Sequence, residues 1–357
     1  MIPTPRVSIV VPCRNEGPFI GRCLKSIALS DYPKTDLEVI VVDGMSKDGT
    51  RGIIDEYTRR YDWVRRIDNP KSIIPAAMNL GIDIARGAVI MKMDAHSTYD
   101  PRYITICMRY LDTHQADGVG GVLRIVPRRP SLVGRSIAAS LSHVFGAGTS
   151  YFKTGVPRPR FVDAVGFGCY RREIFDEIGL YNEDLVRSSD ADLNVRLRRA
   201  GHRLLLVPEA VAYYHAESNL VRYWRRNYAD GLWVTYPLKF GSRVFSLRHL
   251  VPMVFVSTLI GVSGLILVSP LFLWVLGGIS GAYLIANAIA SVQVARTEHH
   301  PGLLLATPVA FFVRHVAHGL GCLVGLIRAY GERTNRLSRS PLATRTVVNR
   351  AGSKRVS

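Results

Sequence analysis

The chain has 357 residues, a formal net charge of +18 and an isoelectric point near 10.0. Its length allows about two domains and a well-filled core. A charge this positive points to nucleic acid or an anionic membrane as partner, and no zinc-finger spacing or ribonucleoprotein motif supports the first.

In chain order, residues 7–11 (Val-Ser-Ile-Val-Val) read as a first strand stopped by Pro12. That run is too short for the apolar core of a signal peptide, so none is expected. Residues 19–29 have helical periodicity, and residues 36–42 form a second strand ending on Asp43. Asp48-Gly49-Thr50 caps a helix reaching about residue 61. Residues 64–67 suit a short third strand, residues 74–86 a helix with Pro75 in its first turn, and residues 88–93 a fourth strand. This alternation predicts a mainly parallel sheet covered by helices on both faces.

The fourth strand ends on Asp94, with His96 two residues later. Ligands of open α/β sheets bind beyond the carboxyl ends of the strands. Two acidic strand ends therefore suggest a metal- or sugar-binding crevice, although Asp43 serves equally well as a turn residue. The five cysteines, Cys13, Cys23, Cys107, Cys169 and Cys322, are scattered without metal spacing and fit a reducing compartment.

After residue 243 the composition changes. Residues 251–292 carry no charge and fit two spans of about 20 residues each, broken near Ser269-Pro270. Residues 303–327 are apolar but contain Arg314, His315 and His318, which are costly at a bilayer centre. They form either a span with a buried polar face or a helix lying in the interface. From Arg328 onward the chain carries eight Lys/Arg and one Glu, a basic tail suited to anionic headgroups. The expected organisation is a domain at 1–243, a membrane region at 244–327 and a disordered basic tail at 328–357.

Several ordered motifs resemble the family 2 glycosyltransferases, which have the GT-A fold. They are Val7-Ser8-Ile9-Val10-Val11-Pro12-Cys13-Arg14-Asn15-Glu16, Val41-Val42-Asp43-Gly44 through Thr50, and Ala76-Ala77-Met78-Asn79-Leu80-Gly81. The segments Asp94-Ala95-His96-Ser97, Phe167 through Arg172 and Asp192 through Gly201 are most similar to the succinoglycan-type exopolysaccharide glucosyltransferases of that family. The resemblance covers roughly residues 6 to 240.

The resemblance implies that Pro12, Arg14, Glu16, Asp43 and Asp94 line the nucleotide-sugar pocket, where carboxylates accept hydrogen bonds from a base or ribose. Asp94 matches the first acid of the family's Asp-x-Asp signature, and His96 stands where the second acid belongs. A carboxylate with imidazole suits Mn²⁺ or a similar ion, while Mg²⁺ prefers oxygen. His215 is a further metal candidate or a structural histidine. The family's catalytic base falls on Asp190, with Ser189 in place of the usual Glu and Asp192 as the fallback base. Trp224, Arg225 and Arg226 stand where processive members carry Gln-x-x-Arg-Trp. They would contact an acceptor or a diphosphate, or form a solvated helix face. Residues 132–145 are a membrane-surface segment or core.

The implied activity is inverting transfer of a hexose, with glucose first, from a UDP-sugar to a lipid-linked saccharide. It would use a divalent metal at a bacterial inner membrane, with the catalytic domain in the cytoplasm and no nucleic acid involved. With the tail also cytoplasmic by the positive-inside bias, residues 251–292 would cross twice and 303–327 would not; three spans put the tail outside. The rivals are a polyprenyl-phosphate sugar synthase, whose anionic nucleophile needs no base, and a non-catalytic assembly protein that keeps the fold.

Overall fold

The computed structural model describes residues 4–339 apart from 243, 244 and 246. The N-terminal half alternates as expected. β1 (Val7–Cys13), α1 (Gly17–Ala28), β2 (Leu37–Asp43), α2 (Thr50–Arg60), β3 (Val64–Asp68), α3 (Ile74–Ile84) and β4 (Val89–Lys92) come first. β5 (Ser97–Tyr99), α4 (Tyr103–Thr113) and β6 (Gly118–Pro127) follow, then α5 (Leu132–Ser142), α6 (Val144–Ala147) and α7 (Tyr151–Thr154). β7 (Arg160–Val162), β8 (Gly166–Arg171), α8 (Glu173–Ile178), α9 (Ser189–Arg199), β9 (Leu204–Ala216) and α10 (Leu220–Thr235) complete this half.

One sheet runs β3-β2-β1-β4-β8-β6-β9-β5, with β7 also paired to β9. The first four strands are parallel. β8 is antiparallel to β4 and β6, and β5 and β7 are antiparallel to β9, so the sheet is mixed in its second half. These strands are short, three to six residues. They enter from loops, without the helical crossover that forces a parallel pairing.

Every residue of β1 and β2 is buried, because helices cover both faces. Side chains alternate between two cores. Ile9, Val39 and Val41 meet α1, α2 and α4 through Ile20, Ile54 and Ile104. Val10, Ile40 and Val42 meet α3 and α9 through Met78 and Leu197. The carboxyl ends of β1, β2 and β4 are thereby held at one rim.

Three helices follow: α11 (Val251–Leu265), α12 (Leu271–Thr297) and α13 (Leu303–Arg339). Three segments here are long and apolar enough to cross a membrane, Leu247–Leu265, Leu271–Thr297 and Leu303–Glu332. The first two are 6% buried in their most apolar windows and the third is 39% buried. The difference comes from docking: α13 lies against α10. Its Arg314 donates to the Gly146 carbonyl and, at 2.9 Å, to Asn227 Oδ1. His315 Nε2 sits 2.8 Å from the Phe145 carbonyl oxygen. Arg314 and His315, two of the groups that make this segment a poor span, are thus satisfied by the N-terminal half. The α5–α6 segment is one side of that contact, with Ala139 and Phe145 packed against Phe311. α13 runs past residue 327, so the expected basic tail starts as helix; residues 340–357 lie outside the described residues.

The α10–α13 seam is built from glycine. A β-carbon on Gly321 would fall on the Tyr228 carbonyl, one on Gly325 on the Leu232 carbonyl, and one on Gly231 on the His318 carbonyl. Gly321→Val should therefore pry the helices apart at about 1–3 kcal/mol, read as a lower Tm of the detergent-solubilised protein. Gly277→Val, whose β-carbon has open space, should leave Tm unchanged.

Candidate active site

The rim holds two loops after β1 and β2 that are tied together by Asn15. Its backbone φ is 54°, a left-handed conformation that Asn tolerates better than most residues. From there its N–H donates to Ser46 Oγ at 2.8 Å, and its Oδ1 accepts from the Lys47 N–H at 2.9 Å. Pro12 is buried on β1 and Arg14 is exposed, donating to the Ser72 carbonyl at 3.3 Å. Asp43 is fully buried and takes the Ser46 N–H at 3.1 Å and the Arg51 Nε at 3.3 Å. Its carboxylate organises the loop that follows.

Glu16 crosses toward the β4 end, where its Oε1 lies 3.3 Å from His96 Nδ1. His96 also meets the Tyr214 ring edge-on, with centroids 5.2 Å apart. Its Nε2 is buried without a hydrogen-bond partner. His215 points elsewhere: its ring stacks on Phe19 at 6.3 Å, and its Nε2 is 3.5 Å from Thr98 Oγ1. Burial lowers the His215 pKa, as do the Arg22, His96 and Arg128 charges.

Asp94 stands two residues past β4, with its amide held by Tyr99 OH at 2.7 Å. Beside it the structure shows a residue that the sequence reading missed. Lys92, the last residue of β4, is buried, and its Nζ lies 2.5 Å from Asp190 Oδ2 and 3.9 Å from Asp94 Oδ1. Burial alone would lower the Lys92 pKa. The Asp190 and Asp94 charges and the hydrogen bond to Asp190 outweigh it and raise the pKa above its ordinary value. The signal was a lone lysine inside Val-Ile-Met-Lys-Met, a strand covered on both faces. An ammonium there needs an anionic partner.

Asp190 and Asp192 both sit in the first turn of α9. They divide the work. Asp192 is buried and occupied by Arg196 Nε at 2.9 Å and Ser242 Oγ at 3.0 Å. Asp190 is open to solvent on one side, with its side chain 56% exposed, and faces Lys92 on the other. Of the α10 trio, Arg226 reaches this neighbourhood, its guanidinium 5.4 Å above the Tyr214 ring. Trp224 is half-buried and Arg225 is exposed.

Among the described residues no three His, Cys, Asp or Glu side chains converge as a metal cage. A divalent ion on a nucleotide needs fewer, because phosphate and water oxygens fill most of its sphere. Asp94 at the strand end fits that sparse donor set, and the unpartnered His96 Nε2 is a nitrogen left unspent.

The Lys92–Asp190 pair is testable without a substrate. Asp190→Ala should destabilise the protein by about 1–2 kcal/mol, less than a fully buried pair because Asp190 is half-exposed. Adding Lys92→Met should restore part of that loss. Strictly additive unfolding free energies would show that the two groups do not interact.

The glycosyl transferase family 2 model matches residues 8–179. The chain is 24% identical over 333 residues to a dolichyl N-acetyl-alpha-D-glucosaminyl phosphate 3-beta-D-2,3-diacetamido-2,3-dideoxy-beta-D-glucuronosyltransferase of Methanococcus voltae, covering 90% of this chain and 97% of that one. It is 29% identical over 216 residues to the succinoglycan biosynthesis protein ExoA of Rhizobium meliloti, covering 60% of this chain and 64% of ExoA. In fold it is similar to the mannosyltransferase PcManGT from Pyrobaculum calidifontis, solved with GDP-Man and Mn²⁺, at a TM-score of 0.58 and 18% identity, over 90% of this chain and 87% of that one. The GT-A sheet and these relatives make the chain similar to the family 2 glycosyltransferases of glycan and polysaccharide assembly, with the family match itself confined to residues 8–179.

Proposed function

We propose that the protein transfers a hexose, glucose first, from a UDP-sugar to a lipid-linked saccharide with inversion, at the cytoplasmic face of a bacterial inner membrane. The observation that carries this reading is the carboxylate of Asp190, half-open to solvent and held 2.5 Å from Lys92 beside the Asp94 strand end. A base for an acceptor hydroxyl must be reachable, ionised and fixed in place. Asp190 meets these needs, whereas Asp192 is consumed by Arg196 and Ser242.

In the reaction, the acceptor oxygen attacks C1 of the sugar as its proton passes to Asp190. The bond from C1 to the diphosphate oxygen breaks, and UDP leaves with the electron pair. One displacement inverts the anomeric centre. Lys92 acts through Asp190, keeping the carboxylate turned toward the cleft. Arg14, Glu16 and Asp43 shape the two loops that receive the nucleotide. Asp94, with His96, would hold Mn²⁺ or Mg²⁺, which would supply positive charge for the departing diphosphate, while His215, turned to Phe19 and Thr98, would not take part.

Asp190→Asn should lower turnover about 10²–10⁴-fold with UDP affinity retained, measured on membranes with UDP-glucose and extracted lipid acceptors. A rate like that of the unaltered protein would favour a polyprenyl-phosphate sugar synthase. A second measurement addresses the ion: transfer should stop in chelator and return with Mn²⁺ or Mg²⁺, and Asp94→Ala should not be rescued by added metal. Full activity in chelator would remove the ion from this reading.

A further inference from the structure

Four cations and one carboxylate gather along the α10–α13 seam, where Arg314 bonds to Asn227 and Lys153 of α7 lies within the field of Arg314, Arg226 and Asp230. The carboxylate, Asp230 on α10, is already shared. Arg187 Nη1 donates to it at 2.7 Å, and Arg226 Nε lies 4.0 Å away. Arg314 on α13 spends its guanidinium on neutral acceptors, the Gly146 carbonyl and the Asn227 amide oxygen. Lys153 on α7 is half-buried, its Nζ 5.6 Å from the Phe152 ring. Among the described residues, neither Lys153 nor Arg314 has a carboxylate within ion-pair distance. Burial, Arg314 and Arg226 lower the Lys153 pKa to about 8, with Asp230 opposing. Four cations sharing one carboxylate leave positive charge over, which raises the free energy of the empty protein and favours an arriving anion.

The cluster has a direction. At one end, Arg226 covers the Tyr214 ring, and that ring meets His96 at 5.2 Å. This end is one aromatic ring away from the Asp94–His96 loop. At the other end stands Arg314, a third of the way along a helix of 37 residues. A ligand lying across it would carry negative charge between the transfer site and the membrane-type helices. Arginine and lysine together suit phosphate oxygens.

We propose that Lys153, Arg226 and Arg314 bind the phosphate groups of the lipid-linked acceptor, placing its sugar hydroxyl toward Asp190 and its hydrocarbon toward α13. This rests on the lipid-linked acceptor reading above and names the site that such an acceptor would occupy. The donor's diphosphate belongs at the strand-end rim. An anionic headgroup of the bilayer would meet a fully exposed basic face, whereas Lys153 and Arg314 are half-buried and Arg226 alone opens to solvent.

The full-length protein in phosphatidylcholine nanodiscs, probed with farnesyl diphosphate, tests the site. The unaltered protein should bind farnesyl diphosphate and not farnesol. Lys153→Met should weaken that binding about tenfold or more, while Lys153→Arg, which keeps the charge, should largely retain it. UDP affinity should be equal in all three, which also shows that the variants fold. Equal binding of farnesyl diphosphate by Lys153→Met would overturn the site. A matching loss of UDP affinity would assign the cluster to the donor, and displacement of farnesyl diphosphate by phosphatidylglycerol in the disc would assign it to bilayer headgroups; either overturns the proposal. The broader reading fails separately: it falls if the unaltered protein transfers sugar to a lipid-free saccharide as fast as to a lipid-linked one.

Discussion

An ammonium group taken out of water must be neutralised where it lies, and Lys92 does so by drawing two carboxylates from different parts of the chain. Asp94 belongs to the loop after β4, and Asp190 to the start of α9. The strand end and the helix start are thereby joined by charge across the cleft proposed for the sugar nucleotide. Asp192, two residues on, is bonded to Arg196 and Ser242 and anchors the same turn from beneath. The turn enters α9 through Ser188 at a φ of 64°, a strained start for a non-glycine residue that these contacts over-determine. The geometry of the cleft therefore depends on one buried cation as much as on any hydrophobic contact.

The sheet was legible because its order follows from alternating apolar strands and amphipathic helices, and β1, β2 and β4 fall within a residue or two of their expected limits. What escaped the sequence was pairing direction beyond β4. Strands such as Arg160–Val162 carry too few residues for a pattern, and their orientation is decided by where β9 lies. In the site, Asp94, His96, Glu16 and Asp190 lie at or around one rim, while His215 turns to Phe19 and Thr98. The choice between Asp190 and Asp192 could not come from spacing, since both occupy one helical turn. It depends on Arg196 and Ser242, which are partners brought in by the fold. Lys92 was visible as a letter and invisible as a role, because its meaning depends on being covered from both faces.

The C-terminal helices show the same division. Composition alone marks three candidate spans, and Arg314 and His315 mark the third as different. The reason lies in contacts with Gly146, Asn227 and Phe145, more than 80 residues away in sequence. A helix that is costly in lipid because of its polar face becomes affordable when that face is spent on a neighbouring domain.

The glycine seam between α10 and α13 has a consequence for geometry at larger scale. Carbonyl groups packed directly against glycine backbones leave little room for sliding or tilting, so the catalytic half is held at a set height and angle relative to the apolar hairpin of α11 and α12. A cleft fixed in that way works as a ruler. For the lipid-linked acceptor proposed above, the number of sugars between its phosphate and its free hydroxyl would determine whether that hydroxyl reaches Asp190. On that proposal, chain length as well as sugar identity would be selected by the fixed height of the cleft.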